Sequence, residues 1–313
     1  MDTRRGTRNL GSTTTRTTLV WVAVVVVVLV VVDIALVTLA LGRTAPNAGD
    51  PAGPIPTFSS SPDSSTSPTP SASADAADAA AVTRRFLTAV DGQEAWRATG
   101  TTCGGPAPTL EHTVDGGATW VPVALGPDVS TLMAIRASST DLTILAGVGA
   151  DCATVVRTSA DDGVTWTAGS PGAAGAGIST AGIVLATGVV ESPCGRPKKA
   201  YQGQQTSVVI CEGKVEWRSG TGAWVEVPVD GIRAVADNDD EYLLARVGAE
   251  GCAGVEIASL TAIGVSPDTA TPAVGCAADA ATIGPIGLDR AGDDIWLWAG
   301  DAVSVSADGG ATW

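Results

Sequence analysis

Three arginines, each followed by alanine, recur in the C-terminal part of the chain at Arg136, Arg233 and Arg290. Gathered around one cavity, their guanidinium groups would hold a carboxylate, or an acidic side chain of a protein, through forked hydrogen bonds. Thr88-Ala89 and Thr180-Ala181 stand in the same register, so Thr88 and Thr180 complete the candidate ligand-binding set. A plainer reading puts each arginine at a strand end, facing solvent or a local acid such as Asp237 or Asp289. No residue is assigned a catalytic role. Tyr201 and Tyr242 are the only phenols, and Glu241 beside Tyr242 would face the opposite side of a strand. His112 is the single histidine, and the chain has neither a Gly-x-Ser-x-Gly elbow nor a phosphate-cradling glycine loop. No Cys-x-x-Cys pair occurs, so neither a metal nor a cofactor is expected. The acidic stretch from Asp237 to Glu241 lacks the glycine and closing glutamate of a calcium loop and reads as a solvated turn.

The elements that must position these groups announce themselves as repeats. TVDGGATW (from Thr113 to Trp120) returns as SADDGVTW (from Ser159 to Trp166) and SADGGATW (from Ser306 to Trp313). An Asp followed closely by Gly between apolar-alternating stretches predicts a hairpin turn, with the carboxylate accepting backbone N–H groups and Gly at positive φ. Asp115, Asp161 and Asp308 are therefore structural, and Trp120, Trp166 and Trp313 open the following strand with a large apolar surface. About 46 residues separate Trp120 from Trp166, about 58 separate Trp166 from Trp224, and about 89 lead on to Trp313. These spacings predict five units, one of which has lost its tryptophan. Within the second unit LMAIRAS, LTILAGVG, ATVVRTS and TWTAG read as four successive strands, innermost to outermost.

The repeated turn resembles the Asp-box, or BNR, repeat of sialidases, sortilin-type receptors and photosystem II assembly factors. That resemblance implies an all-β fold, a β-propeller whose first strands line a central channel, and the five units counted from the spacings make it one of about five four-stranded blades. It also implies that the box itself lies away from any chemistry. Arg136, Arg233 and Arg290 would then converge near one mouth of the channel. Sialidases hold a sugar carboxylate with three arginines and use a Tyr–Glu pair and an Asp. They carry an Arg-Ile-Pro-type segment, where this chain has Arg84-Arg85-Phe86-Leu87, and build six blades, for which about 233 residues look too few. The function expected is a non-catalytic protein- or glycan-binding module. The alternative is a sialidase-like glycoside hydrolase acting on a carboxylated sugar.

The N-terminal part decides where such a module works. Residues 19–41 are almost unbroken apolar sequence, enough for a helix to cross a bilayer and too long for a typical signal-peptide core. Arg4, Arg5, Arg8 and Arg16 precede the run, which puts the N-terminus in the cytoplasm. The expected organisation is a basic cytoplasmic tail (1–17), a single transmembrane helix (18–42), a disordered Pro/Ser/Thr/Ala-rich linker (43–80) and an extracellular propeller (81–313). The chain carries 18 basic and 33 acidic residues, and setting aside those up to Arg43 leaves 13 against 31. So acidic a surface excludes nucleic acid as a principal partner. All six cysteines, Cys103, Cys152, Cys194, Cys211, Cys252 and Cys276, fall in the exported part, and disulfides are expected. Of fifteen possible connectivities, Cys194 with Cys211 and Cys252 with Cys276 are suggested by proximity alone.

Overall fold

The computed structural model describes residues 83–238 and 240–313. The expected cytoplasmic tail (1–17), transmembrane helix (18–42) and linker (43–80) lie outside the described residues. What is described is a ring of six antiparallel sheets. Blade 1 comprises β1 (Arg84–Ala89), β2 (Ala95–Gly100), β3 (Thr109–Thr113) and β4 (Val121–Pro122). Blade 2 comprises β5 (Val129–Ala137), β6 (Leu142–Val148), β7 (Ala153–Ser159) and β8 (Thr167–Ala168). Blade 3 has three short strands, β9 (Gly177–Ser179), β10 (Gly182–Leu185) and β11 (Gly188–Val190). Blade 4 is β12 (Pro197–Gln202), β13 (Thr206–Cys211), β14 (Lys214–Ser219) and β15 (Val225–Val227). Blade 5 is β16 (Ile232–Asn238), β17 (Glu241–Val247), β18 (Val255–Thr261) and β19 (Ala273–Ala277). Blade 6 has β20 (Ile286–Ala291), β21 (Asp294–Ala299) and β22 (Ala302–Ser306). Each first strand touches the first strand of the next blade, and β20 touches β1, so the ring closes.

The propeller therefore has six blades where the repeat spacing predicted five. The interval from Trp166 to Trp224 holds two sheets, because blade 3 needs only strands of three or four residues. Its strands, Gly-Ile-Ser, Gly-Ile-Val-Leu and Gly-Val-Val, are too short for an apolar alternation to be read. Blades 3 and 6 also have three strands among the described residues instead of four.

Each sheet buries both faces against its neighbours, and the core is accordingly divided into six clusters, one per junction. Trp96, Leu110, Leu132 and Ile144 pack between blades 1 and 2, and Val208, Trp217, Tyr242 and Leu260 between blades 4 and 5. Ring closure falls to Leu87, Ala95, Trp296 and Trp298 between blades 6 and 1. A fully buried side chain of this size contributes roughly 1.5–3 kcal/mol, so the tryptophans bear much of the seam. Cations reinforce it: Arg85 lies 4.3 Å from the Trp298 ring centroid, and Arg97 lies 4.3 Å from that of Trp120.

The repeated octapeptide forms the turn after the third strand of blades 1, 2 and 6. Asp115 Oδ1 accepts the Thr119 N–H (2.9 Å) and the Thr113 hydroxyl (2.7 Å), while Oδ2 accepts the Thr119 hydroxyl (2.6 Å). Asp161 and Asp308 repeat the pattern with Thr165 and Thr312. These bonds hold the carboxyls of Asp115 and Asp308 down to about 2. The turn requires two successive residues at positive φ, and in blade 2 the first of them is Asp162 (56°) where the other copies have glycine.

Three disulfides join Cys103 to Cys152, Cys194 to Cys211, and Cys252 to Cys276. The first ties a loop of blade 1 to one of blade 2 across 49 residues of sequence.

Candidate functional site

The first strands enclose a channel containing a cavity of about 340 Å³. One end, formed where these strands finish, carries Arg136, Arg290, Tyr201, Gln202, Asp237 and Asp289. Arg85 and Lys199 line it from positions nearer the strand beginnings.

Many of these groups also fasten one blade to the next. Asp289 accepts the Ala89 N–H (2.7 Å), Thr88 Oγ1 accepts the Ala137 N–H (3.0 Å), and the Tyr201 hydroxyl accepts the Val235 N–H (3.1 Å). Gln202 Oε1 takes the Ala186 N–H of blade 3 at 2.8 Å. Arg136 Nη2 reaches past that small blade to donate to Gln202 O of blade 4 (3.3 Å). Arg290 donates from Nε to Gly292 O (2.6 Å) and faces Glu241 at 3.6 Å. A first strand has one edge toward the channel, and a polar side chain there reaches the backbone of the adjacent blade.

Burial strains the charges that remain. Desolvation pushes the Asp289 carboxyl up to about 6, against the N–H groups of Ala89 and Arg290 and the charge of Arg136, which favour its anion. Lys199 is 8% exposed, and burial, aided by the charges of Arg85 and Arg84, pulls its amine down to about 7. Burial also raises both phenols, Tyr242 to about 12 and Tyr201 further. The Tyr242 hydroxyl is bonded to Thr206 Oγ1 at 2.5 Å.

Of the residues singled out from sequence, the cavity brings together Thr88, Arg136 and Arg290. Arg233 is not among them. It is exposed near the beginning of β16, as the extra residue of a bulge between Ile232 and Ala234, so it sits at the opposite end of its strand from Arg136 and Arg290. The β16 position matching Arg136 is Asp237. Thr180 is likewise outside, exposed in the turn after β9. Both misplacements come from aligning dipeptides without knowing turn lengths. Arg85, read from sequence only within the Arg84-Arg85-Phe86-Leu87 departure from the Arg-Ile-Pro pattern, and Lys199, which the sequence does not single out, also line the cavity. Lys199 shares a strand face with Tyr201 two residues on, which is the one signal that would have drawn it in.

No protein-family model matches the chain, and no curated protein matches its sequence. Solved structures similar to it are propellers of varied activity. A structure of YCF48 bound to D1 peptide is 16% identical, with a TM-score of 0.27, covering 72% of this chain and 64% of that one. The Bacillus subtilis arabinanase Arb43A is 10% identical, with a TM-score of 0.41, covering 72% and 95%. The Trypanosoma rangeli sialidase in complex with the inhibitor DANA is 12% identical, with a TM-score of 0.36, covering 72% and 54%. The chain thus spans less than two thirds of the first and third of these proteins. Similarity this distant concerns the fold alone.

Proposed function

We propose that this chain displays a six-bladed propeller outside the cell, on a single membrane-spanning helix, as a non-catalytic binding module for a protein or glycan bearing an acidic group. The observation that carries the reading is the occupation of the channel end. Arg136 and Arg290 flank one cavity with Tyr201 and Gln202, while the groups that would supply nucleophilic chemistry are committed to the fold. Tyr201 and Tyr242 are hydrogen-bonded phenols whose burial disfavours the phenolate, and Asp289 holds a neighbouring blade. A cationic pair above shared polar groups suits recognition of a carboxylate or acidic side chain.

One observation favours the alternative, a glycoside hydrolase: Asp289, its carboxyl raised by burial to about 6, shares the cavity with Asp237, and such chemistry uses two carboxyls facing one site. Chemical cross-linking in intact cells, with the captured partner identified, paired with fluorogenic sialoside and arabinofuranoside hydrolysis, separates the two. Capture that falls about tenfold or more in Arg136→Ala and Arg290→Ala supports binding, on the scale of about 1.5–3 kcal/mol for a hydrogen bond to a charged group. Turnover abolished by Asp289→Asn would replace this reading with the enzymatic one.

A further inference from the structure

Within the channel two cations are left with unused donors. The Arg85 guanidinium carbon lies over the Trp298 ring, 4.3 Å from its centroid, and Nη1 is buried with no hydrogen-bond partner among the described residues. Lys199 donates to Ile286 O, across the channel in blade 6, and makes no other hydrogen bond among the described residues. An ammonium has three N–H groups, so two remain. A buried donor without an acceptor costs on the order of 1–3 kcal/mol, and a buried cation costs more unless an anion faces it. Both side chains line the same cavity.

We propose that Arg85 Nη1 and Lys199 Nζ form a carboxylate-binding site inside the channel. The inference rests on the binding reading above, because its ligand enters through the same cavity, but it uses residues that reading does not. Charge argues for a singly charged group. Arg84 and Arg85 act on Lys199 from β1, while Asp301, in the turn between β21 and β22, and Arg97, on β2, act on Arg85 with opposite sign. Toward the channel end Arg136 and Arg290 stand against Asp237 and Asp289, and Tyr201 is neutral. A net positive interior offering one guanidinium N–H and one ammonium from different blades matches the two oxygens of a carboxylate. A phosphate dianion asks for more donors than these. The carboxylate belongs either to a chain terminus or to an acidic sugar, since each presents the same two oxygens.

Lys199 gives the test a readout that a merely structural lysine lacks. An anion placed beside an amine poised near 7 favours its ammonium form, so binding takes up a proton, at most about half of one at pH 7. The full 313-residue chain carrying Asp289→Asn, which removes the cavity's other group titrating near neutrality, is purified in detergent and titrated calorimetrically at pH 7 with N-acetylglycine, glucuronate or inorganic phosphate, in buffers of different ionisation enthalpy. Binding of either carboxylate with proton uptake, ahead of phosphate, is expected, and the better of the two identifies the carrier. Lys199→Met abolishes uptake and weakens binding about tenfold or more. Lys199→Arg keeps binding but loses uptake, and this variant decides the matter if Lys199→Met fails to fold. Arg85→Gln weakens binding while uptake persists. Absence of carboxylate binding, tighter phosphate binding, or uptake that survives in Lys199→Arg overturns the site. If it fails while Arg136→Ala still loses its cellular partner, the binding module stands without this subsite.

Discussion

At the scale of single residues, the same carboxylate chemistry serves opposite ends in two places. In the repeated turns Asp115 and Asp308 are held ionised by hydroxyl and N–H donors, and their carboxyls drop to about 2. A carboxyl lowered on folding contributes stability above its unfolded value, and that contribution disappears as pH falls from about 4 to about 2. Asp115→Ala or Asp308→Ala should therefore lower the thermal midpoint by a few degrees at pH 7, with the difference from the parent shrinking below pH 3. Asp289 runs the other way. Its carboxyl is raised to about 6, so the folded state prefers the protonated form and loses stability as pH rises from about 4 through 6. Asp289→Asn keeps an oxygen for the Ala89 N–H. Its midpoint should match the parent near pH 4 and exceed it at pH 7, and equal midpoints throughout that range would refute the assignment.

At the scale of elements, what could be read in the chain depended on the length of each apolar stretch. The strands of blade 2 fall close to the stretches expected, because Leu, Ile, Met and Val are concentrated over seven or more residues in β5 and β6. Blade 3 escaped, since β9, β10 and β11 each open on glycine and run for only three or four residues, too short for Ile178, Ile183, Leu185 and Val190 to show a period although they fill its side of the junction with blade 4. The site suffered from the same limit. Arg136 and Arg290 lie at matching places on β5 and β20, but the bulge on β16 moved Arg233 away, and nothing local marks a bulge at an arginine. The disulfide from Cys103 to Cys152 gives a direct prediction at this level. It joins adjacent blades, so Cys103→Ser with Cys152→Ser should cost about 2–4 kcal/mol by denaturant unfolding. Gly275→Ala should be comparably disruptive, because its Cβ would lie 2.1 Å from Gly310 O, where the last turn rests on blade 5. Unfolding midpoints unchanged by either substitution would contradict the packing described.

At the scale of the whole molecule, six sheets share their faces around a ring, so no blade has a core of its own. Closure between blades 6 and 1 is correspondingly decisive: Leu87, Trp296 and Trp298, with the Asp289 bond to Ala89, join the two ends of the sequence. The ring also gathers side chains from distant stretches of chain into one channel, which is how residues as far apart as Arg85 and Arg290 come to line one cavity. The central claim is that this channel end is where a partner is held. It is tested most directly by placing a photo-cross-linking residue at Ser139, in the exposed turn next to Arg136, and separately at Ile283, before the far end of β20, in the full chain in intact cells. The account predicts one discrete partner captured from position 139, lost in the Arg136→Ala and Arg290→Ala backgrounds, and little from position 283. Equal capture from both positions, or capture at 139 that survives both arginine substitutions, would contradict it.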